Sequence, residues 1–458
     1  MEILTADLVD DGSGWLEKVS LLVDDEGIIA AIGDRETLQA ENPQALDSDF
    51  SGHIITPGLV NAHSHAFQVL LRGHADHPRD FHDWVATHLY PTVQTLDDRT
   101  IEVATLVAAA QMVKSGVTSL GEFHYLHNGE DGPGGTRIDS LVLAAARRVG
   151  LRTSLIRTFY DRASRPGQER FAETPDQAVA ATKALAAQFE SDPLTRVMPA
   201  PHSLHGASPE MIQAGAELAA ELDTPWHIHL SEQQSDLDYA REHYDGKTPL
   251  EALDSLGVLS DRTVLVHGLW LTESERARLA EVGGGLVYNP ATNMYLGDGV
   301  LALEDLLRRG VRVGLGTDAD TTLSIWNEAR QAEALQRVTQ LRMGVTANVS
   351  VDGAEPARSA RPLMRMATEH GAALIGQRTG RIAVGMPADL VVIDRYDLSL
   401  LPGSIAKDDA LLNVLFTAMV PETAIRHVYV QGQRVLTHGE LVCFSQEELV
   451  SLLAECLR

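Results

Sequence analysis

The most constraining feature of this sequence is an alternation of short apolar runs with longer alanine-rich stretches that have the 3.6-residue apolar spacing of helices. Eight runs read as strands: LVNAH, VTSLGEF, LRTSLIR, RVMPAPH, PWHIHL, TVLVHG, GGLVYNP and RVGLGTD. Parallel strands need crossover helices, and eight of them can close on themselves, so the pattern predicts an α/β fold with a (β/α)8 TIM barrel. An open doubly wound sheet is the main alternative, but its glycine-rich phosphate turn is missing after the first strand.

The two ends of the chain have a different pattern. Residues 1–56 contain short alternating runs interrupted by turn residues, as in VSLLVDDEGIIAAIG, and similar runs return in ADLVVID, AIRHVYVQGQRVL and ELVCF. We therefore predict three segments: the barrel over 57–375, and one small β-sandwich built from 1–56 and 376–458. The second end segment closes with a helix in SQEELVSLLAECL.

Composition excludes several classes of protein. With 458 residues, 44% of them hydrophobic, the chain can fill a large core. A formal net charge of -27 without a basic cluster argues against nucleic acid as a partner. No apolar window is long enough for a membrane helix, and no signal sequence is evident, so we predict a cytoplasmic protein without a membrane partner. The two cysteines, Cys443 and Cys456, are too few for a disulfide framework.

Polar side chains concentrate where the predicted strands end. In a parallel barrel these carboxyl ends carry the chemistry. The residues in question are His63, His65, Glu122, His124, His202, His229, His267, Asn289 and Asp318.

The sharpest motif among them is His63-Ser-His65. Residues two apart on a strand point to the same face, so both imidazoles can reach one ion in the barrel mouth. A later histidine and a strand-terminal aspartate, Asp318, strengthen the prediction of a metal site, and Asp320 ranks lower because it lies farther into the loop.

HIHLSE, residues 227–232, is the second constellation. His229 ends the strand and is the better candidate ligand, which leaves His227 for packing. Glu232 lies just beyond the strand end, where a carboxylate can stand over a bound substrate.

These motifs resemble the amidohydrolase superfamily, and within it the branch of metal-dependent deaminases and chlorohydrolases. The resemblance spans nearly the whole chain in order. The matching segments are TPGLVNAHSH, APHS, HIHLSE, LVHG, NPATNMYLGDG, GLGTD and GRIAVGMPADLVVID.

The resemblance implies one divalent ion, a small-molecule substrate and a homodimer. The implied ligands are His63, His65, His229 and Asp318. No lysine ends the fourth strand, which agrees with a single ion, since two-metal members bridge their ions with a carboxylated lysine there. Zinc is our first choice for three nitrogen ligands and one oxygen, and iron is the alternative.

A mechanistic hypothesis follows for three catalytic residues. The ion lowers the pKa of a water, and Asp318 accepts the proton that this water releases. His267 orients the hydroxide that attacks a carbon bearing an amino or imino group. Glu232 delivers a proton to the adjacent substrate nitrogen, and ammonia leaves.

The substrate remains open between two groups of relatives. HSHAFQ, EFHYLHN and APHSL resemble formimidoylglutamate deiminase and match at Gln68, Tyr125 and His202. That family holds its two carboxylates with two arginines, but Val85 and His205 stand at those positions here. Without bidentate arginines a dicarboxylate would lose charge-assisted hydrogen bonds, so this substrate is disfavoured.

The segment LLRGHADHPRDFHDWVATHLYP is similar to loops of deaminases that act on guanine, adenosine-type or triazine compounds. We therefore predict a deaminase of an aminated nitrogen heterocycle (purine, pterin, triazine or pyrimidine type) or a related amidine. A formimino compound is the alternative, and dechlorination or amide cleavage is the second. A metal-binding scaffold without activity is the rival from another class. The candidates for packing on a flat substrate are Trp84, Tyr125 and Trp326. The candidates for hydrogen bonds to it are Gln68, His202 and His205.

Overall fold

The computed structural model describes residues 1–75, 77–129, 132–350, 355–418 and 421–457, with the backbone alone for residues 418 and 421. The strands are β1 (Glu2–Asp10), β2 (Trp15–Glu17), β3 (Ser20–Val23), β4 (Ile29–Gly33), β5 (Leu46–Pro57), β6 (Leu59–Ser64), β7 (Val117–His124), β8 (Arg152–Phe159), β9 (Thr195–Pro201), β10 (Trp226–Leu230), β11 (Thr263–His267), β12 (Gly285–Tyr288), β13 (Arg312–Leu315), β14 (Leu390–Asp394), β15 (Ile425–Val430), β16 (Gln433–Thr437) and β17 (Glu440–Leu441).

The α-helices are α1 (Arg35–Glu41), α2 (Phe81–Trp84), α3 (Tyr90–Thr95), α4 (Asp98–Lys114), α5 (Arg137–Val149), α6 (Pro175–Gln188), α7 (Pro209–Glu221), α8 (Gln234–His243), α9 (Pro249–Ser255), α10 (Glu273–Glu281), α11 (Pro290–Leu296), α12 (Leu303–Arg308), α13 (Ile325–Gln340), α14 (Arg361–Arg365), α15 (Gly371–Leu374), α16 (Asp409–Asn413) and α17 (Gln446–Cys456). Short π-helical turns lie at Val85–Leu89, Met366–His370 and Val414–Ala418. Short 3-10 turns lie at Ala66–Leu71, Gln168–Arg170, Thr346–Asn348, Gly403–Ile405 and Pro421–Ala424.

All eight strands predicted for the central segment are present and parallel to their neighbours. Their pairing forms two four-stranded sheets, in the orders β6-β7-β8-β9 and β10-β11-β12-β13. A parallel bridge between Ser64 and Asp318 joins the first sheet to the second. On the other side, the backbone N–H of His229 donates to the carbonyl of His202 at 2.9 Å. The central segment is thus mixed α/β, with its two sheets in contact on both sides.

The strands of both chain ends pair with one another in one nine-stranded sheet. Its order is β17-β16-β15-β14-β5-β1-β3-β4, with β2 paired to β1. The turn after β3 lies directly against the turn after β15, so distant parts of this sheet approach each other. A Cβ on Gly27 would lie 1.8 Å from the carbonyl oxygen of Gln431. Only glycine fits at this approach, and its φ of +78° favours glycine as well.

Two details of the end segments differ from the sequence prediction. Residues 1–56 include a helix, α1, because Asp34 caps it by accepting from the backbone N–H of Thr37 at 3.1 Å. The run ELVCF contributes only the two-residue strand β17. The chain leaves the sheet there to reach Ser445, whose side chain caps α17.

The helices around the central strands begin where side chains satisfy their free backbone N–H groups. Thr174 and Gln177 form a capping box at α6, and Thr272 and Glu275 form one at α10. Buried alanines and leucines of α4 pack into the main core together with Leu8 and Ile54 of the end sheet. In the described part of the chain, no helix is long and apolar enough to cross a membrane.

Candidate active site

Four of the predicted site residues lie together at the carboxyl ends of the central strands. His63 lies at the end of β6, His65 follows it, His229 lies in β10, and Asp318 follows β13. One ligand atom from each lies within 4.8 Å of the others. Asp318 lies close to both members of the motif, with its Oδ1 3.3 Å from Nε2 of His63 and 3.2 Å from Nε2 of His65.

Backbone hydrogen bonds fix Asp318 against the His63-Ser-His65 motif. The N–H of Asp318 donates to the carbonyl of His63 at 3.0 Å, and the N–H of His65 donates to the carbonyl of Asp318 at 3.0 Å. Asp318 has a φ of +52°, which is unusual for a residue with a side chain. Gly316, two residues before Asp318, allows the chain to pass close to His63, since a Cβ on Gly316 would lie 2.8 Å from Cβ of His63.

The hydrogen bonds of His65 and His229 decide which ring nitrogens carry lone pairs. Nδ1 of His65 lies 2.8 Å from the carbonyl oxygen of Phe123, and Nδ1 of His229 lies 3.1 Å from that of His202. A carbonyl only accepts, so each Nδ1 is the donor and each Nε2 of the neutral ring presents a lone pair to the site.

Those lone pairs point at other electron-rich atoms. Nε2 of His65 faces the carboxylate of Asp318, and Nε2 of His229 lies 3.2 Å from Nε2 of His63. Burial lowers the pKa of His63 to about 3 and that of His229 well below its ordinary value, so these two rings are neutral. Converging nitrogen and carboxylate lone pairs fit a divalent cation, and three nitrogens with one oxygen suit zinc.

Glu232 and His267 lie beside this cluster, as predicted for catalytic residues. Nε2 of His267 lies 3.6 Å from Oε1 of Glu232 and 3.8 Å from Oδ2 of Asp318. Burial raises the pKa of Glu232 well above its ordinary value, and the negative charges of Asp298 and Asp318 add to the shift. Burial lowers the pKa of His267. A carboxyl group whose protonated form is favoured and an imidazole whose neutral form is favoured therefore lie next to the four candidate ligands.

A cavity opens over the cluster. It is lined by all five residues that the sequence suggested for substrate contact: Gln68, Trp84, Tyr125, His202 and His205. The amide Nε2 of Gln68 donates to the hydroxyl of Tyr125 at 2.9 Å, while its Oε1 is buried without a hydrogen-bond partner. This amide oxygen is thus left as an acceptor near the cavity.

The two positions at which arginines were expected also line the cavity. Val85 adds an apolar surface, and His205, with 46% of its side chain exposed, lies 3.8 Å from a carboxylate oxygen of Asp236. Among the described residues that line this cavity there is no arginine. Arg162 and Arg165 line a neighbouring cavity, which shares His202 and His205 with the first.

Trp326 does not contact the cavity, so its prediction as a substrate contact is wrong. Its side chain is fully buried, its Nε1 donates to the carbonyl of Ser115 at 2.9 Å, and its ring packs on Phe416. Asp320 lies outside the ligand cluster and accepts from the hydroxyls of Ser64 and Thr317. His227 is held by the carbonyl of Leu374 at 2.8 Å, as a packing residue would be.

Sequence reasoning assigned no role to three residues that shape the site. The ring of Phe123 lies 4.4 Å from that of His229 and 5.1 Å from that of His63, centroid to centroid. Asn293 and Asp298 lie behind His267 in a chain of hydrogen bonds. Asn293 and Asp298 both belong to the segment NPATNMYLGDG, whose resemblance to the family indicated that this segment borders the site.

Comparison with known proteins gives a consistent result. The model of the amidohydrolase family matches residues 54–435. A 5-methylthioadenosine/S-adenosylhomocysteine deaminase of Pyrococcus furiosus is 30% identical over 430 residues, which cover 93% of this chain and 93% of that protein. A protein of the same name from Syntrophobacter fumaroxidans is 29% identical over 430 residues, covering 93% of this chain and 90% of the relative.

Solved structures are similar over the whole chain. The crystal structure of an adenosine deaminase from Xanthomonas campestris with bound zinc has a TM-score of 0.84 and 26% identity, and the match covers 99% of this chain and 97% of that one. An atrazine chlorohydrolase from Arthrobacter aurescens in complex with zinc has a TM-score of 0.83 with full coverage of both chains, but its 22% identity supports the fold alone.

Proposed function

Because this chain belongs to the amidohydrolase family and is a metal-dependent hydrolase of carbon–nitrogen bonds other than peptide bonds, we propose that it deaminates an aminated nitrogen heterocycle or a related amidine. In this reaction water adds to the carbon that bears the amino group, ammonia leaves, and a carbonyl oxygen takes its place. The observation that carries the proposal is the convergence of four ligand atoms within 4.8 Å, beside a buried carboxyl group with a raised pKa, at one cavity.

We propose His63, His65, His229 and Asp318 as the ligands of one ion, zinc by preference. Such an ion supplies Lewis acidity, which makes a water nucleophilic near neutral pH. Oδ2 of Asp318 faces His267 and is placed to accept the proton that the water loses. His267 donates a hydrogen bond to the attacking oxygen through Nε2 and so orients it toward the substrate carbon.

Glu232 serves as the proton donor to the substrate nitrogen. Only 13% of its side chain is exposed, and burial raises its pKa well above the ordinary value, which favours the protonated form that a proton donor needs. Protonation of the nitrogen next to the reacting carbon makes that carbon more electrophilic. During collapse of the tetrahedral intermediate, Asp318 passes its proton to the amino group, which leaves as ammonia. The carboxylate of Glu232 takes the proton of the added hydroxyl group, which becomes the carbonyl oxygen.

The cavity lining supports a flat substrate without carboxylates at its inner end. Trp84, Val85 and Tyr125 give apolar and aromatic surface, and Gln68, His202 and His205 give polar contacts. A formimino compound is the second candidate, since the hydrogen-bonded pair of Gln68 and Tyr125 borders the cavity as the resemblance to that family implies.

A screen for ammonia release tests both candidates. Purines, pterins, triazines, cytosine-type bases and formimino amino acids are incubated with the zinc-supplemented protein, and ammonia is measured. We expect release from one class of ring amine. Release from formimino amino acids alone would replace the first candidate with the second. Chloride or carboxylate release without ammonia would show dechlorination or amide cleavage, and no product from any class would favour an inactive scaffold.

For the architecture, we propose that the two central sheets form one (β/α)8 barrel over residues 57–375. The bridge between Ser64 and Asp318 and the hydrogen bond from His229 to His202 support this closure. Residues 1–56 and 376–458 form the second unit, and the contact of Gly27 with Gln431 supports a sandwich-like curl. The homodimer and the cytoplasmic location stay predictions, which sedimentation and cell fractionation would test.

A further inference from the structure

His267 is held from behind by two asparagine side chains that follow β12. The amide nitrogen of Asn293 lies 3.1 Å from Nδ1 of His267, and that of Asn289 lies 3.5 Å from it. An amide nitrogen only donates, so Nδ1 of His267 accepts and carries a lone pair. The proton of the neutral ring is then on Nε2, which is buried without a hydrogen-bond partner and faces the site.

The orientation of the Asn293 amide is fixed by Asp298. The amide nitrogen of Asn293 also donates to Oδ2 of Asp298 at 3.0 Å, and Gln233 donates to the other oxygen, Oδ1. Turning the Asn293 amide around would place its oxygen against the carboxylate of Asp298. Burial raises the pKa of Asp298 to about 7, but both of its oxygens already accept, one from Gln233 and one from Asn293, as in an ionised carboxylate. In that form two electron-rich oxygens would face each other in a buried setting, so the turned orientation is disfavoured.

We propose that Asp298 is a positioning residue that acts through Asn293 to hold His267 as the tautomer with its proton on Nε2. The chain of contacts runs from Gln233 through Asp298 and Asn293 to His267. Its effect is to aim an N–H donor, rather than a lone pair, at the place where the attacking oxygen forms. The effect on turnover rests on the proposed function, whereas the tautomer itself does not.

The same aspartate ties down the loop that carries the proposed acid. Gln233 follows Glu232 in the chain, and the carbonyl of Glu232 accepts from Nε1 of Trp270 at 3.1 Å. Gly299, next to Asp298, lies against the Trp270 ring, where a Cβ would be 3.2 Å from Cζ2. The side chain of Asp298 therefore contacts the loop that carries Glu232 directly and His267 through Asn293, so it helps to position both catalytic side chains.

The test is ¹⁵N NMR of the zinc-supplemented protein labelled at histidine, with the His267 signals identified from a His267→Gln spectrum. We expect a protonated Nε2 and an unprotonated Nδ1. In Asp298→Asn, the new amide donates to Asn293, whose oxygen then turns toward it and accepts from Nδ1 of His267. We therefore expect the proton to move to Nδ1.

Two further variants keep this outcome decisive. Asn293→Asp presents a carboxylate to Nδ1 without altering residue 298, so it should move the proton in the same way even if Asp298→Asn does not fold. Asp245→Asn, at a side chain that is 96% exposed, removes an equal charge and should leave the spectrum unchanged. An Nδ1-protonated wild type, or folded variants that keep the wild-type tautomer, would overturn the inference.

Turnover separates this inference from the proposed function. With a substrate from the ammonia screen, Asp298→Asn should lower kcat by about 100-fold, the loss typical when one donor to a developing oxyanion is removed, with little change in KM. A moved proton without any loss of kcat would leave the positioning role intact and refute His267 as the catalytic donor. An unmoved proton would refute the positioning role whatever the turnover.

Discussion

Glu232 is the residue whose chemistry is most sharply defined by its surroundings. Burial raises the pKa of its carboxyl group, and the charges of Asp298, Asp318 and Asp236 add to the shift. The carboxyl group lies 3.6 Å from His267, and no ion pair with an arginine or lysine is found for it within the described ranges. Glu232→Gln keeps the shape but removes the transferable proton. We expect kcat to fall by about 100-fold or more, while zinc content measured by atomic emission stays near that of the wild type.

The matched control is Glu242→Gln, an exposed position on α8, which should leave both quantities unchanged. Near-normal turnover of Glu232→Gln with its zinc retained would contradict the role of Glu232 as proton donor.

Much of the site could be predicted from residue spacing, and the remainder could not. The two-residue period of a strand places His63 and His65 on one face, and their side chains do converge with Asp318. The spacing of residues in the sequence does not show how the segment after β12 folds back, so the contact of Asn293 with His267 could not be predicted from it. The prediction that Trp326 contacts the substrate was wrong for a related reason, because an aromatic side chain can pack in the core as well as line a cavity.

At the scale of elements, Glu328 ties α13 to α11. Its carboxylate accepts from the backbone N–H of Ala291 at 2.9 Å and from the hydroxyl of Thr322 at 3.2 Å. Burial raises its pKa to about 8, above the ordinary value of 4.5. The folded state therefore holds this proton more tightly than the unfolded state does, and the free energy of unfolding should decrease as pH rises from about 4.5 to 8.

Glu328→Gln is neutral at every pH and can still accept from Ala291. Its free energy of unfolding should rise relative to that of the wild type across this window, by up to about 1.4 kcal/mol per pH unit, and then level off. Urea unfolding at pH 5, 7 and 9 measures the difference. A constant difference between variant and wild type at all three values would show that Glu328 ionises normally.

Elements marked by an apolar run of strand or helix period were predicted, whereas two elements of the end segments were not. The eight central strands and the helix α4 follow from apolar runs of sufficient length. The helix α1 depends on one capping contact of Asp34, and β17 is only two residues long. The pairing of strands into sheets was also beyond the sequence, because it depends on contacts between residues far apart in the chain.

At the scale of the whole molecule, a buried ion pair connects the end sheet with the central strands. Nε and Nη2 of Arg152, at the start of β8, donate to the two oxygens of Asp389 at 2.8 and 3.2 Å. Both side chains are almost completely buried. Arg152→Met should lower the free energy of unfolding by about 3–5 kcal/mol, since it leaves Asp389 as an unpaired buried charge.

The comparison variant is Arg262→Met, which breaks an exposed pair with Asp223 and should cost less than about 1 kcal/mol. Urea unfolding measures both. The double variant Arg152→Met with Asp389→Leu should be more stable than Arg152→Met alone, and equal or lower stability would mean that packing, rather than charge, dominates this contact.

Removal of the ion should weaken the fold where the first and last central strands meet. Without a cation, the lone pairs of His65 and His229 face other electron-rich atoms. We expect a strong chelator to lower Tm and added zinc to restore it, while magnesium does not, because the donor set is rich in nitrogen. At a zinc concentration 1,000 times Kd the stabilisation is about 4 kcal/mol. His63→Ala should abolish the response to chelator, and an unchanged Tm in the wild type would argue against the site.

The hydrogen bonds between Asp318 and the His63-Ser-His65 motif also order events during synthesis. Ser64 and Asp320, which lie next to these residues, are 256 positions apart in the sequence. A ribosome must therefore complete every central strand before Asp318 can contact the two histidines. A shorter nascent chain holds the two histidines of the motif without their carboxylate. With the proposed ligands, the complete four-ligand set is therefore available only after all central strands have been synthesised, so binding of the ion follows their synthesis rather than guiding it.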